Sequence, residues 1–341
     1  MNDLMTLEKI NMSFRKGGNV FRKDRSVHVL KDIDLTVREG EILALVGESG
    51  CGKTTLGKIV TGLYRPTSGK IVFHGDEESD APVNGARNKR NKKRSPSFLR
   101  VQFIQQDSYA ALNPVRTIYQ SLYAPIRTHN PKWGKKQIDG KIDELMSLIG
   151  LQPAAQFLTK YPHQLSGGQR QRILMARAIS LEPKLIVADE PVSMIDVSLR
   201  LSLLNLMAEL NEKLRISFIY ITHDLSTARY IARQGRIAVM YLGEIMEEGD
   251  MEKVLGDPRH PYTQALLKAV PVPDPEARRD DRLPLKSMEL SSIEERGEGC
   301  PFAPRCLYEC EACHRPVPFV TENGVRVKCC NLNAVKGGES V

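Results

Sequence analysis

The sequence has no apolar run long enough to cross a lipid bilayer, which takes about 20 residues. Its longest largely apolar runs, residues 42–46 and 216–221, have only the length of a strand. The first residues, MNDLMTLEKI, mix acidic and basic side chains with apolar ones, so the unbroken apolar stretch of an export signal is missing. We therefore expect a globular protein that stays in the cytoplasm.

Cysteine is nearly absent from most of the chain. Of the seven cysteines, only Cys51 lies outside a short C-terminal region, and the others are Cys300, Cys306, Cys310, Cys313, Cys329 and Cys330. Because the chain shows no export signal, such clustering favours metal binding over disulfides.

Length and net charge leave several domain organisations and binding partners possible. With 341 residues, of which 41% are apolar, the chain can form one large domain plus an appendage or two modest domains. The net charge of +8 is compatible with nucleic acid, an anionic membrane surface or a nucleotide, and does not choose between them. The densest basic run, residues 87–94 (RNKRNKKR), has no interleaved aromatic residue. This favours a solvated loop over a specific anion or nucleic-acid site.

The apolar pattern predicts an α/β core with a helical insert. Strands are expected near residues 4–14, 27–37, 42–46, 70–73, 101–105, 185–188, 218–222 and 237–241. Residues 115–181 have a helical pattern, with apolar residues three and four apart at 136–149. Beyond residue 256, prolines indicate a linker with one short helix at 263–269, and residues 277–298 are expected to be extended.

Residues 47–54, GESGCGKT, match the phosphate-loop pattern between a predicted buried strand and a helix. The glycines let successive backbone N–H groups converge on phosphate oxygens at the positive end of the helix. Lys53 adds a full charge, Thr54 offers a hydroxyl to Mg²⁺, and Thr55 completes the loop. Cys51 occupies an unspecified position of the pattern, so we interpret it as a tolerated small residue rather than a nucleophile.

Two carboxylates follow another predicted buried strand, in the segment LIVADE. The carboxyl edge of an open parallel sheet is where ligands bind. There Asp189 can orient Mg²⁺, and Glu190 can polarise the water that attacks a γ-phosphate.

A third motif, LSGGQRQR at residues 165–172, precedes a good helix. The hydroxyl of Ser166 and the amides of the following glycines make a second anion site at a helix N-terminus. With the two motifs above, the sequence over about residues 4–255 resembles the ATP-binding cassette family. In that family this signature segment closes on the nucleotide held by a neighbouring domain's phosphate loop.

The resemblance implies further site residues. Gln106 matches a glutamine that senses Mg²⁺, His223 a histidine that contacts the γ-phosphate, and Asp196 an aspartate that communicates across a dimer. Phe14 matches the aromatic that stacks on adenine. Catalytic roles thus fall to Lys53, Gln106, Glu190 and His223, and Mg²⁺ binding to Thr54, Gln106 and Asp189. The expected ATP contacts are Phe14, Gly47, Ser49, Gly50, Cys51, Gly52, Lys53, Thr54, Thr55, Gln106, Ser166, Gly167, Gly168, Gln169, Asp189 and Asp196.

Three stretches resemble the ATPases of oligopeptide and dipeptide importers, some of whose relatives carry nickel or oligosaccharides. They are ALNP at 111–114, VMYLGEI at 239–245 and HPYT at 260–263.

In this branch of importers a recurrent pattern of four cysteines matches Cys300, Cys306, Cys313 and Cys329. Four thiolates suit a 4Fe-4S cluster or a structural zinc, and the wide first two spacings favour the cluster. The C-x-x-C of Cys310 and Cys313 keeps zinc open, and unliganded thiols are a third alternative.

The implied fold is an α/β phosphate-loop ATPase core with an N-terminal antiparallel β-subdomain, an inserted helical subdomain and a small cysteine-rich C-terminal extension. The expected domains are residues 1–256, with the helical subdomain at about 108–181, and residues 257–341, with the cysteine cluster at 300–330.

The implied function is to hydrolyse ATP for peptide uptake, at the cytoplasmic face of the membrane; the alternative is the same role for another solute, such as nickel or an oligosaccharide. The implied partners are a second, related ATPase in a head-to-tail dimer, two membrane-embedded permease subunits and, indirectly, an extracytoplasmic solute-binding protein; no nucleic acid is implied. A cassette ATPase acting on ribosomes or DNA would show tandem cassettes or a long coiled coil, and neither occurs. An exporter usually fuses its cassette to membrane helices.

Overall fold

The computed structural model describes residues 2–16, 25–74, 100–270, 283–289, 292–294 and 296–337. The basic run at 87–94 lies outside the described residues, as does much of the segment 277–298. Where that segment is described it contains no helix, and Leu285 forms an isolated bridge with Cys306. Among the described residues no helix combines the length and apolar character that a membrane span requires.

The described strands form two sheets. They are β1 Asp3–Lys16, β2 Arg25–Arg38, β3 Ile42–Val46, β4 Ser68–Phe73, β5 Val101–Ile104, β6 Leu185–Asp189, β7 Ser217–Thr222, β8 Arg236–Tyr241, β9 Glu244–Asp250, β10 Val320–Glu322 and β11 Val325–Val327. The small antiparallel sheet has the order β2-β1-β4, and the large sheet has the order β10-β11-β9-β8-β3-β7-β6-β5. Strands β5, β6, β7, β3 and β8 are parallel, so their carboxyl ends meet at one edge.

The described helices are α1 Lys53–Val60, α2 Ser108–Ala111, α3 Ile118–His129, α4 Lys135–Leu148, α5 Ala155–Leu158, α6 Gly167–Ile179, α7 Val197–Leu214, α8 Leu225–Ile231, α9 Met251–Gly256, α10 Pro261–Lys268 and α11 Leu332–Gly337. Helices α2 to α6 lie between β5 and β6 in the chain. The expectation of an α/β fold with an antiparallel β-subdomain and a helical insert is confirmed.

The core lies on both faces of the large sheet. Alternate residues of β3 point to opposite faces: Leu43 and Leu45 join the cluster shared with α1 and the small sheet. Ala44 and Val46 join the cluster that continues into the helical insert. Because both faces are covered, β3 is an unbroken apolar run rather than an alternating one.

Strand β9 was not predicted from the sequence. Its segment, EIMEEGD, is rich in glutamate, yet Glu244, Glu247 and Glu248 are at most 2% exposed. Glu248 pairs with the buried Arg236 on β8, and Glu247 accepts the backbone N–H groups of two residues that precede α10. Buried carboxylates are tolerated when they are paired in this way, so the acidic composition concealed a strand.

The C-terminal residues continue the large sheet. Strand β11 pairs with β9, and β10 pairs with β11. Phe302, which is fully buried, and Val325 belong to the same apolar cluster as the sheet and the helical insert. The extension therefore packs directly on the nucleotide-binding fold.

Candidate functional site

The phosphate loop joins β3 to α1 and lies tightly against β8. A Cβ atom on Gly47 would lie 2.0 Å from the carbonyl oxygen of Met240, and one on Gly52, whose φ is 104°, would lie 2.9 Å from Leu30. Both positions therefore require glycine. The amide groups of the loop and the N-terminus of α1 together form an anion-binding concavity.

The lysine of the phosphate loop makes hydrogen bonds within the loop itself. The Lys53 ammonium donates to the carbonyl oxygens of Gly47 and Glu48, both at 2.8 Å. The Cys51 thiol is 3.7 Å from the same ammonium and is buried, and burial raises its pKa. A protonated, buried thiol fits the packing role expected for Cys51 and not that of an exposed nucleophile.

Three predicted catalytic residues meet at the carboxyl ends of β5, β6 and β7. One Glu190 oxygen accepts the Gln106 side-chain amide at 2.8 Å, and the other lies 2.9 Å from His223 Nδ1. The Glu190 backbone has a positive φ of 44°, and its N–H donates to Ile221 O at 2.9 Å. The carboxylate is thus fixed from both sides and from its own main chain, as a positioned proton acceptor requires.

Asp189 lies one residue earlier, at the end of β6. Burial raises its pKa, and a hydrogen bond with the Thr54 side chain opposes that rise. This contact joins the end of β6 to the first turn of α1. Hydroxyl, carboxylate and amide oxygens are the hard ligands that Mg²⁺ prefers, so the donor set of Thr54, Asp189 and Gln106 fits this ion.

These residues surround an open cavity of about 430 Å³, within the size range of ligand sites. Its lining residues are Val29, Ser49, Gly50, Gly52, Lys53, Thr54, Thr55, Gln106, Glu190 and His223. Sequence reasoning missed Val29 because β2 carries no phosphate-binding signal. A larger cavity of about 930 Å³ lies between the helical insert and α7, but no phosphate-loop residue lines it.

Sequence reasoning also missed Ser193. Its hydroxyl donates to the Glu190 carbonyl oxygen at 3.0 Å and lies 3.5 Å from the Gln106 amide nitrogen. Only its position three residues after Glu190 could have indicated it.

The signature segment lies outside the cavity formed around the phosphate loop. Ser166 is exposed at the N-cap of α6, where its hydroxyl accepts the Gln169 N–H at 3.3 Å and its own N–H donates to the Gln169 side chain at 3.0 Å. Residues 166–169 do not line the 430 Å³ cavity. The phosphate loop and the signature segment are therefore separate surfaces of the chain, and phosphate binding by the signature segment stays a prediction.

Of the other predicted contacts, Gly47, Cys51 and Asp189 lie close to lining residues in the chain without lining the cavity themselves, whereas Asp196 and Phe14 lie on other elements. Asp196 is exposed at the N-cap of α7, where its side chain makes no capping hydrogen bond. Phe14 is 38% exposed on β1 and packs edge-on against Tyr64, with ring centroids 5.8 Å apart. Their roles at a dimer interface and on adenine stay predictions.

Three of the C-terminal thiols form a cluster around Cys313. The sulfur atoms of Cys310, Cys313 and Cys330 all lie within 4.8 Å of one another. Burial raises the pKa of Cys300, Cys306 and Cys313 to about 12, and each of these thiols interacts with others of the group. All seven cysteines of the chain are free thiols. Of the predicted ligands Cys300, Cys306, Cys313 and Cys329, only Cys313 belongs to the close trio. Thiols suit a soft metal or an iron–sulfur cluster, and ligation would release their protons.

A buried histidine adjoins the same cluster. His260 Nε2 lies 4.0 Å from the Cys300 sulfur, and its Nδ1 accepts the Tyr262 N–H at 3.1 Å. Complete burial lowers the pKa of His260 to about 3, so the ring is neutral. The HPYT stretch thus links the start of α10 to the thiols.

Family models match two parts of the chain. The model described as "ABC transporter" matches residues 30–193, which include the phosphate loop, the signature and the carboxylates. The model described as "Oligopeptide/dipeptide transporter, C-terminal region" matches residues 246–313.

Relatives align over nearly the whole chain. The "Oligopeptide transport ATP-binding protein AppF" of Bacillus subtilis is 40% identical over 90% of both chains. The "Dipeptide transport ATP-binding protein DppF" of Haemophilus influenzae is 39% identical over 92% of both. Among solved structures, the dimeric post-hydrolysis state of the ATP-binding cassette MJ0796 with ADP and Pi matches with a TM-score of 0.60 and 24% identity, over 73% of this chain and 99% of that one.

Proposed function

Because the chain belongs to the ATP-binding cassette family, in the branch of oligopeptide and dipeptide transport ATP-binding proteins, we propose that it powers peptide uptake by hydrolysing ATP between two subunits. The chain is an ATPase of this family. The observation that carries the proposal is the fixed Glu190 carboxylate, held by Gln106 and His223 beside the phosphate loop.

The residues in and beside the cavity have roles that their positions support. The loop amides and Lys53 bind the β- and γ-phosphates, and Lys53 exchanges its two carbonyl partners for phosphate oxygens. Thr54, Asp189 and Gln106 would hold Mg²⁺, and the ion would supply positive charge that stabilises the phosphates. Glu190 accepts a proton from the attacking water, and His223, which keeps the carboxylate oriented, reaches the γ-phosphate.

The second surface completes the site in trans. We propose that Ser166, Gly167, Gly168 and Gln169 of one subunit close on the ATP bound by the phosphate loop of another, with Asp196 at the interface and Phe14 on the adenine. The exposed apolar side chains of Met194 and Val197, 64% and 74% exposed beside Asp196, support a covered face there. The second subunit is proposed to be a related ATPase.

The proposed complex places this chain on the cytoplasmic face of a membrane. There two permease subunits contact it through the helical insert, and an extracytoplasmic binding protein delivers peptide to them. The chain's own residues bind and hydrolyse ATP, while the permease holds the solute. Closing and reopening of the ATPase dimer therefore couples ATP hydrolysis to the conformation of the permease.

We further propose a 4Fe-4S cluster on Cys300, Cys306, Cys313 and Cys329. Cys313 is common to this set and to the trio of Cys310, Cys313 and Cys330. The cluster would supply structural crosslinking of the extension. Iron and sulfide per chain, measured after anaerobic purification, test the ligand set: Cys329→Ser should lose them and Cys330→Ser should keep them. The reverse result would assign the trio instead, and zinc without iron would replace the cluster by a structural zinc site.

The function is tested on the native complex. The tagged chain is purified anaerobically from its own membranes, co-purifying chains are identified by mass spectrometry, and ATPase activity is measured with and without peptides and binding protein. We expect two membrane subunits, a second ATPase and peptide-stimulated turnover. Recovery of ribosomes or DNA would overturn the proposal, and a permease that ignores peptides would overturn the choice of solute.

A further inference from the structure

Two residues of the C-terminal extension, Arg305 and Tyr262, contact Glu48 of the phosphate loop. The Arg305 guanidinium donates to both oxygens of the Glu48 carboxylate, at 2.9 and 3.1 Å. The Glu48 N–H donates to the Tyr262 phenol oxygen at 2.9 Å. The phosphate-loop pattern assigns no role to Glu48, and neither Arg305 nor Tyr262 belongs to the cassette motifs.

These contacts come from a rigid part of the extension. The side chain of Arg305 is 7% exposed, and Tyr262 is 1% exposed. Tyr262 packs against Tyr241 with ring centroids 4.6 Å apart, and both rings contact the fully buried Phe302. Because the arginine and the phenol are held by packed aromatic rings, they can fix the position of Glu48 rather than follow it.

Glu48 also connects this contact to the lysine of the site. Its carbonyl oxygen accepts the Lys53 ammonium at 2.8 Å, so one residue is held through its amide, its carbonyl and its carboxylate. Its negative charge lies in a loop that binds polyphosphate, where an unpaired carboxylate would repel the ligand. Arg305 cancels that charge.

We propose that Arg305 and Tyr262 are positioning residues of the nucleotide site: they hold Glu48 and neutralise it, so ATP binding depends on the folded extension. The inference rests on the proposed function only in taking ATP as the ligand. It extends the nucleotide site beyond the cassette, into the segment between Cys300 and Cys306. By reciprocity, bound nucleotide stabilises the extension.

A charge-removal cycle tests the proposal on the full chain. The dissociation constant of a non-hydrolysable ATP analogue with Mg²⁺ is measured for wild type, Arg305→Gln, Glu48→Gln and the double variant. Arg305→Gln should weaken binding about tenfold, since it leaves the Glu48 carboxylate uncompensated within the phosphate loop. The double variant should recover binding to within about threefold of wild type, because neither charge remains. Arg305→Lys should retain most of the affinity.

A purely structural role of Arg305 would give a different pattern of affinities and melting temperatures. If Arg305→Gln lowers the melting temperature but the double variant does not recover affinity, or if Arg305→Gln binds like wild type, the proposal is wrong. Arg315→Gln is the matched control, because Arg315 lies in the same extension with its side chain 76% exposed. Tyr262→Phe keeps the ring and removes the hydroxyl, and it should raise KM for ATP about threefold with kcat unchanged; an unchanged KM would contradict the role of Tyr262.

Failure of this inference is distinguishable from failure of the proposed function. Wild-type protein that neither binds nor hydrolyses ATP would refute the function itself. Wild-type hydrolysis with variants of unchanged affinity would refute only the role of the extension.

Discussion

Replacing Glu190 by glutamine separates ATP binding from hydrolysis. The two carboxylate oxygens contact Gln106 at 2.8 Å and His223 at 2.9 Å. Glutamine has the same shape, and its side-chain oxygen and amide group can still face these two partners. The substitution therefore keeps the geometry of the cavity and removes only the negative charge that accepts a proton.

The expected fall in the rate of hydrolysis follows from the loss of this carboxylate charge. A positioned general base contributes about 10²- to 10⁴-fold to a rate, which corresponds to about 3–5 kcal/mol of activation free energy. Two charge-assisted hydrogen bonds become neutral ones, which should cost about 1 kcal/mol of folding free energy. Turnover should therefore fall steeply, while the melting temperature and ATP affinity change little.

The assay compares phosphate release and ATP binding in wild type, Glu190→Gln and a control, Glu212→Gln. Glu212 is an exposed residue of α7 outside the cavity lining. The Glu190 variant should bind ATP normally, turn over at least about a hundredfold more slowly and accumulate as the closed ATP-bound dimer. Turnover at the wild-type rate would refute the assignment of Glu190 as the base.

Three other substitutions test the packing on which the site depends. Gly47→Ala should abolish ATP binding and destabilise the loop by about 3 kcal/mol or more, because the new Cβ would lie 2.0 Å from the Met240 carbonyl oxygen; normal binding of a fluorescent ATP analogue would contradict this. Phe302→Ala should lower the free energy of unfolding by about 3–5 kcal/mol, measured by urea titration, since the ring is 0% exposed; a loss below about 1 kcal/mol would contradict the packing. Arg236→Met should cost about 3–5 kcal/mol in the same titration, because it leaves the buried Glu41 without its arginine and leaves the buried Glu248 with the partly exposed Arg326 alone; an unchanged midpoint would show that the pairing is dispensable.

The nucleotide site was predictable because its signals are local. The spacing of Gly47, Lys53 and Thr54 defines a loop on its own, and the run before Asp189 and Glu190 is uniformly apolar. Parallel strands then bring these segments to one edge regardless of their distance in the chain. The helical insert was likewise visible as a long region of helical periodicity.

The missed features depend on partners far away in the sequence. Strand β9 could not be identified because its glutamates are buried against partners outside the strand, among them an arginine on β8 and the backbone before α10. The pairing of Arg305 with Glu48 joins residues 257 positions apart, and neither residue belongs to a motif that indicates the other. No local pattern predicts such contacts, since they arise when the extension packs on the sheet.

Peptide uptake by the reconstituted complex tests the central claim most directly. The complex is placed in proteoliposomes with a labelled peptide and its binding protein, and uptake is followed with ATP, without ATP, and with the Glu190→Gln subunit. Accumulation that requires ATP and is lost in the variant is the predicted result. Peptide accumulation that is equal in all three conditions, or ATP hydrolysis without any accumulation, would contradict the account.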